Sequence, residues 1–335
     1  MQNKKIIILT EGGRLFGFGH ISRSKAIAQA FLRFGIDSKF IIDGDDSIHS
    51  LLEGFSYDIL DWNHNQEQLL SSIRNIDVIL IDSIKISNVL IKKIENLKLK
   101  VIFIDDDKRR NILDAGIVID WTVLCDEKNY FVPKKIGVIY LLGSQYTPLR
   151  KEFCDAKRNI IKDKITTILV TFGGSDVRNL TPRILKLLTE FYPEIKKNIV
   201  VGAGFNNKLH LENIKDTNTN LILNADANTM VELMQESDIA IASGGQTLYE
   251  LAKVGTPTIA ILLVDNAKDD TDGWSKVGSV ENIGWYNDEK LFDNLMLKIN
   301  VMQNKQMRQT MQDNANKYID SDGGKLLVQK ILENI

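Results

Sequence analysis

The chain has 335 residues, 44% apolar and 26% charged, a globular balance with length enough for two ordinary domains. Its 42 basic residues offset 44 acidic ones, which leaves no electrostatic case for nucleic acid or an anionic membrane surface. Two cysteines, Cys125 and Cys154, are too few for a disulfide framework or a thiolate metal site and are expected to be packed thiols. No apolar run reaches the length of a membrane span and no leader pattern precedes the first one, so a cytoplasmic protein without a transmembrane segment is expected.

Ile6-Ile7-Ile8-Leu9 predicts a first strand over 5–9, and Ala26, Ile27, Ala30 and Phe31 at helical spacing predict a helix after it. Between them stands Gly17-Phe18-Gly19-His20-Ile21-Ser22-Arg23, a glycine-rich turn that puts His20 at or beside the helix N-terminus. Backbone amides at such an end favour an anion such as a diphosphate. The same end disfavours an imidazolium, which suits a histidine that must accept a proton. A dinucleotide fingerprint would want a third glycine where Ser22 stands, and from these seven residues alone a surface histidine capping a helix is an equal alternative.

Further strands are expected over 39–43, 57–60, 78–82, 101–105, 117–119 and 138–142, with helices over 66–74 and 87–97. Val78-Ile79-Leu80-Ile81 is apolar on both faces, as a buried parallel strand requires. The rhythm breaks over 143–164, which holds Pro148 and a charged patch. It resumes with strands over 168–172, 199–201, 221–223, 239–242 and 258–263 and helices over 180–191 and 229–235, and the stretch 302–335 reads as almost wholly helical. This alternation predicts an α/β protein of two Rossmann-like domains, over 1–150 and 151–320, with a C-terminal helix over 321–335.

Ligands of such sheets sit outside the carboxyl ends of the strands. The strand over 168–172 runs into Gly173-Gly174-Ser175-Asp176, where glycine lets the backbone approach a phosphate and Ser175 adds a hydroxyl; a tight turn needing glycine for its geometry alone is the plainer reading. The strand over 239–242 runs into Ser243-Gly244-Gly245-Gln246-Thr247-Leu248-Tyr249-Glu250. Glycines again open a helix, and a carboxylate inside it can accept hydrogen bonds from two ribose hydroxyls or simply favour the helix dipole.

The order Gly-x-Gly-His-x-x-Arg, Gly-Gly-Ser-Asp and Ser-Gly-Gly-x-Thr-x-Tyr-Glu resembles the pseudaminic acid pathway hydrolases, which cleave UDP-2,4-diacetamido-2,4,6-trideoxy-β-L-altropyranose. These are relatives of the lipid II N-acetylglucosaminyltransferases and of the spore-coat polysaccharide glycosyltransferases. The stretch Leu141-Leu142-Gly143-Ser144-Gln145-Tyr146-Thr147-Pro148-Leu149-Arg150-Lys151-Glu152-Phe153 is similar to their Leu-Gly-x-x-Tyr-x-x-Leu-Arg-x-Glu-Phe signature. The resemblance implies a GT-B architecture, two Rossmann-like domains facing across a cleft, with UDP held mainly by the C-terminal domain. It implies His20 as the base that activates water, with Gly17, Gly19 and Arg23 beside it as substrate or nucleotide contacts. It implies Gly173, Gly174, Ser175, Gly244, Gly245 and Thr247 on the diphosphate side, Glu250 on the ribose, and Asn266 on the sugar. Three features depart from the pattern: Ala267 follows Asn266 where the hydrolases carry glutamine, Ile84 follows Asp82-Ser83 where they carry tyrosine, and Thr10-Glu11-Gly12-Gly13-Arg14 is a variant insertion before the histidine motif. These changes are compatible with another sugar or a non-water acceptor.

The expected activity is metal-free and cofactor-free hydrolysis of a nucleotide sugar by inversion at the anomeric carbon. Inverting transfer to a carbohydrate or lipid-linked acceptor and non-catalytic nucleotide-sugar binding are the alternatives. Asp105-Asp106-Asp107 and Asp269-Asp270-Thr271-Asp272 are read as solvated faces rather than metal motifs, and Lys108-Arg109-Arg110 as a solvated helix start. His49, His64 and His210 lack companion spacing and are expected at the surface, and Tyr249 is expected to pack its helix.

Overall fold

The apolar runs become buried parallel strands in both halves of the chain. The structure, a computed structural model, describes residues 4–14, 17–106, 109, 112–126, 128–130, 133–156, 158–205, 207–319 and 322–335. The chain divides into two units, Met1–Lys151 with Asp322–Ile335, and Glu152–Ser321.

The first unit carries β1 (Ile6–Gly12), β2 (Ser38–Gly44), β3 (Ser56–Ile59), β4 (Val78–Asp82), β5 (Lys100–Ile104), β6 (Gly116–Asp120) and β7 (Val138–Leu142), and the helices α1 (Gly19–Leu32), α2 (Gln66–Ser72) and α3 (Asn88–Glu95). The strands form one parallel sheet in the order β3-β2-β1-β4-β5-β6-β7, so the direction of winding reverses between β1 and β4. Crevices for ligands open at such a reversal, outside the carboxyl ends of the strands. Ile7, Leu9, Ile79, Ile81 and Phe103 join Trp62 and Leu90 in the core beneath it. Helix α1 buries Ile21, Ala26, Ile27, Ala30 and Phe31, the face its spacing predicts.

The stretch over 143–164 contains the short helix α4 (Lys151–Cys154), within which one unit gives way to the next. The second unit carries β8 (Thr167–Thr171), β9 (Lys196–Val201), β10 (Thr219–Leu223), β11 (Ile239–Ser243), β12 (Thr258–Leu262) and β13 (Val280–Trp285). Its helices are α5 (Leu180–Phe191), α6 (Lys208–Ile214), α7 (Ala227–Glu236), α8 (Gln246–Val254), α9 (Lys268–Lys276), α10 (Leu291–Val301) and α11 (Lys305–Asn316). The parallel order β10-β9-β8-β11-β12-β13 reverses between β8 and β11. Ile168, Val170, Ile199, Ile241 and Ile259 share one core with Ile184, Leu185 and Leu188 of α5.

Some elements differ from the sequence expectation, for physical reasons. β1 runs on to Gly12, because Thr10 and Glu11 stay buried beside β2 and β4 although they are polar. β13 does not read as an apolar run: it pairs on one side only, and Glu281 and Asn282 are half-exposed on this edge. The last helix, α12 (Gly323–Leu332), is not a separate appendage: it packs on α1 in the first unit, and Arg33, which caps α1, donates to both carboxylate oxygens of Asp322 at 2.6 and 2.9 Å. Among the described residues no helix is long and apolar enough to cross a membrane.

Candidate functional site

In the first unit the chemistry gathers where β1 and β4 part. Asp82 is the last residue of β4 and is wholly buried. His20, second in α1, brings Nδ1 to 2.8 Å from Asp82 Oδ1. One turn on, Arg23 donates from Nε to Oδ2 at 2.9 Å and from Nη2 to Oδ1 at 2.5 Å, and Ser24 donates its hydroxyl to Oδ2 at 2.9 Å. Positions 20, 23 and 24 share one helix face, which is why a single carboxylate can serve all three. Arg23 reaches past Asp82 to Asp106, just beyond β5, pairing with it through Nη1 and with its Oδ1 from Nη2 at 3.3 Å. The guanidinium also lies 5.4 Å from the centre of the Trp121 ring.

Burial alone would push the Asp82 carboxyl up, but the charges of Arg23 and His20 and their hydrogen bonds outweigh it and hold the group well below the usual carboxylate range. Asp82 is thus ionised and can only accept. The network then assigns the proton of a neutral His20 to Nδ1 and leaves the lone pair on Nε2. Arg23 Nη2 lies 3.1 Å from the same Nδ1, two donors side by side on one acceptor. The His20 side chain retains 13% exposure, so the ring is not sealed in the core as Asp82 is. Gly17 holds a φ of +78° in the turn before α1, and Gly19 is the first residue of that helix.

The sequence motifs assign no role to Glu11 or Asp82, and the reading of Asp106 as part of a solvated face is corrected by its pairing with Arg23. Glu11 is buried at the end of β1, accepting the Ser83 hydroxyl and, at 3.0 Å, the Ile84 amide. It ties down the turn after β4, on which Ile84 stands 45% exposed. A signal is present in the sequence: Asp82 and Asp120 close apolar strands and Asp105 directly follows another, and all three are buried.

In the second unit the equivalent strand ends hold glycine and hydroxyl groups. Gly173, Gly174 and Ser175 follow β8, and Gly244 and Gly245 follow β11. With Phe172, Val177, Ser243, Leu263, Val264 and Ala267, Ser175 and Gly244 line an open pocket of ≈ 140 Å³. A side chain at 244 would collide with Thr271 Oγ1 at 2.3 Å, and Gly245 takes a φ of +96° as it leads into α8. Helix α8 starts without a side-chain cap or an acid in its first turn, so its dipole faces an uncompensated end. Thr247 is half-buried in that first turn, and Glu250 is 4% exposed in the next.

The N-terminus of α5 is different. Asp176, buried at a φ of +41°, accepts from the amides of Leu180 and Thr181 at 2.9 and 2.8 Å. The carboxylate already fills the place an anion would take there. Beside the pocket, Arg178 donates to the Leu263 carbonyl at 3.1 Å and stacks 4.4 Å from the centre of the Tyr286 ring, a cation that the motifs do not single out. Asn266 is exposed on the turn ahead of α9, and Ala267 is buried against the pocket.

The remaining signals find structural partners. Tyr249 is buried, donates its hydroxyl to Asp270 and meets Trp274 edge-on with ring centres 5.3 Å apart. Asp272 accepts from Asn282 at 2.9 Å and pairs with Lys268. Asp105 accepts from the Arg109 amide at 2.8 Å and the Tyr130 hydroxyl at 3.1 Å. Asp107, Lys108 and Arg110 lie outside the described residues, among which no group of three metal-capable side chains occurs. His49, His64 and His210 are exposed, and Cys125 is buried with Cys154 half-buried.

Residues 167–327 match the glycosyltransferase family 28 C-terminal domain. The uncharacterized protein MJ1062 of Methanocaldococcus jannaschii is 31% identical over 77% of this chain, which spans 55% of that protein's length. The spore coat polysaccharide biosynthesis protein SpsG of Bacillus subtilis is 23% identical, covering 83% of each chain. The UDP-2,4-diacetamido-2,4,6-trideoxy-beta-L-altropyranose hydrolase of Campylobacter jejuni is 22% identical over 82% of this chain and 97% of its own. Among solved structures, MurG of Acinetobacter baumannii superposes with a TM-score of 0.67 at 14% identity, covering 98% of this chain and 99% of that one. The UDP-GlcNAc 2-epimerase of Neisseria meningitidis gives 0.64 at 15% identity, covering 98% of this chain and all (100%) of its own. The fold is therefore of the GT-B kind expected. Since an epimerase shares it, the fold does not decide the reaction.

Proposed function

We propose that the chain is an enzyme acting on nucleotide sugars, cleaving the bond between the anomeric carbon and the diphosphate with His20 as general base. The observation that carries this reading is the pairing of His20 Nδ1 with Asp82, 2.8 Å apart, which directs the basic lone pair of the imidazole to Nε2. In this mechanism Nε2 takes a proton from a water molecule as its oxygen attacks the anomeric carbon. The carbon–oxygen bond to the diphosphate breaks on the opposite side, UDP leaves with the electron pair, and the configuration inverts. The uncapped start of α8 and the Gly244-Gly245 turn supply the electrostatics for a diphosphate, with Thr247 beside them and Glu250 as acceptor for the ribose hydroxyls. Ser175 lines the β8 side of the pocket, Gly173 and Gly174 precede it in the same loop as candidate diphosphate contacts, and Asn266 is the candidate sugar contact. Support for UDP and for water as acceptor comes from the hydrolase relative, and the hydrolytic form is preferred on that ground.

One observation favours a second reading, transfer to a sugar or lipid-linked hydroxyl. Ile84, an exposed apolar side chain on the turn that Glu11 pins after β4, offers an apolar contact beside the strand end that holds Asp82. A panel of UDP-sugars incubated with the full chain, with and without acceptor alcohols, separates the two. Free UDP and free sugar formed in water alone support hydrolysis; UDP release only with an acceptor supports transfer. No UDP release from any donor under either condition, with UDP still bound, defeats the enzymatic reading.

A further inference from the structure

Arg23 stands on the same helix face as His20, yet its guanidinium is committed to two carboxylates rather than open to a ligand. Its donors point to Asp82 at the end of β4 and Asp106 beyond β5, and its face lies against Trp121 beyond β6. Its side chain is 13% exposed and that of Asp82 is wholly buried, so the ion pair is screened little by solvent. We propose that Arg23 is a positioning residue that orients Asp82 on His20 and, by balancing that carboxylate with its own charge, opposes protonation of the imidazole. The proposal extends the reading of His20 as base and assigns Arg23 to the tuning of that base, in place of contact with the nucleotide sugar.

The charges around His20 make the sign of the effect definite. On its own helix the cation Arg23 lies 3.1 Å away through Nη2, opposing a second positive charge on the ring. From β4 comes Asp82, which favours that charge, and from the turn after β5 comes Asp106, which pairs with Arg23. The nearby carboxylates of Glu11 and Asp105 are occupied, the first by Ser83 and Ile84, the second by Arg109 and Tyr130. Removing Arg23 leaves Asp82 with the imidazole as its remaining cationic partner among the described residues, and takes from Asp106 the guanidinium that it pairs with. Protonation of His20 then becomes easier. Neutralising Asp106 instead strengthens the unbalanced charge of Arg23 and makes protonation harder.

The test is an NMR titration of the imidazole Cε1–H signals, of which the chain has four, with His20→Asn used to assign the His20 resonance. In Arg23→Gln the His20 midpoint is expected to rise by about one pH unit or more, the usual size of a close charge effect. In Asp106→Asn it is expected to fall, and Arg23→Lys, which keeps the charge without the planar fork, should lie between wild type and Arg23→Gln. UDP affinity by calorimetry should stay within about twofold in all three, whereas removing a charged hydrogen bond to the nucleotide would weaken it about tenfold or more. An unchanged or lowered midpoint in Arg23→Gln overturns the proposal, as does an unchanged or raised one in Asp106→Asn, which also serves if Arg23→Gln fails to fold. Abolished UDP binding in Arg23→Gln with the midpoint unmoved would make Arg23 a ligand contact. Because the readout is a titration and not turnover, failure of His20 as base would show separately, as full activity in His20→Asn.

Discussion

The two sheets reverse their winding at corresponding places but finish their strands with opposite chemistry. In the first unit Asp82 and Asp120 end strands as buried carboxylates, Glu11 stands one residue before the end of β1 and Asp105 directly follows β5, and Asp82 draws in a histidine, an arginine and a hydroxyl as partners. In the second, Gly173-Gly174-Ser175 and Ser243-Gly244-Gly245 end them with bare backbone and hydroxyls, and α8 begins without a carboxylate in its first turn. The first arrangement is rich in carboxylates and holds an imidazole against one of them; the second presents backbone and hydroxyl groups, the chemistry on which the proposed diphosphate contact rests. One topology, used twice, is specialised by the residue placed at each strand end. The helix starts divide in the same way: α8 is open, whereas Asp176 closes α5.

The largest expected effect falls on the carboxylate-rich side. His20→Asn keeps a polar side chain near Asp82 and should fold and bind UDP normally, while turnover on the identified donor drops by about 10²–10⁴-fold. In the wild type the rate should fall as pH drops through the His20 midpoint, because the protonated ring cannot accept. Steady-state kinetics that show near-wild-type turnover in the variant would reduce His20 to a helix residue.

Acid should next undo the cluster that holds His20. The Asp82 carboxyl titrates well below its unfolded value, so its contribution to stability is complete above the unfolded pKa of about 4 and fades as pH falls toward the folded one. Uncompensated burial of the Arg23 charge costs on the order of 3 kcal/mol. Urea melts between pH 6 and pH 3 should therefore show a loss of stability on acidification in the wild type and a shallower one in Asp82→Asn. Parallel slopes for the two proteins would contradict the ionised Asp82.

On the glycine-rich side the effects are smaller and appear in binding. Glu250→Gln keeps shape but loses charged acceptor capacity, and UDP affinity should weaken by about 1–3 kcal/mol in calorimetry; undiminished binding would remove the ribose role. Asp176→Ala should cost about 1 kcal/mol of stability through removal of its cap, with UDP affinity unaffected. Weaker UDP binding in that variant would move the anion to α5. The smallest expectation is no change at all: after EDTA treatment and dialysis turnover should persist, because amides and helix ends carry the leaving diphosphate. Activity restored only by magnesium or manganese would return the aspartate runs to consideration.

The amino-acid order alone determined the two parallel α/β sheets, since Val78-Ile79-Leu80-Ile81 and Ile239-Ala240-Ile241-Ala242 are apolar on both faces and separated from their neighbours by helical spacing. It also marked the loops after β8 and β11 and the turn before α1, because glycine next to a strand end is a local signature. What it could not yield were the partnerships. His20 and Asp82 are 62 residues apart, and Arg23 and Asp106 are 83 apart, so only the pairing of β1 with β4 and of β4 with β5 brings them to one crevice. Burial of Glu11 was likewise a tertiary decision, since its donors Ser83 and Ile84 lie on the turn after β4, more than seventy residues away. Local pattern sets which backbone forms. Which charges meet, and therefore which nitrogen of His20 can act as a base, depends on long-range packing that brings a buried carboxylate to a helix start.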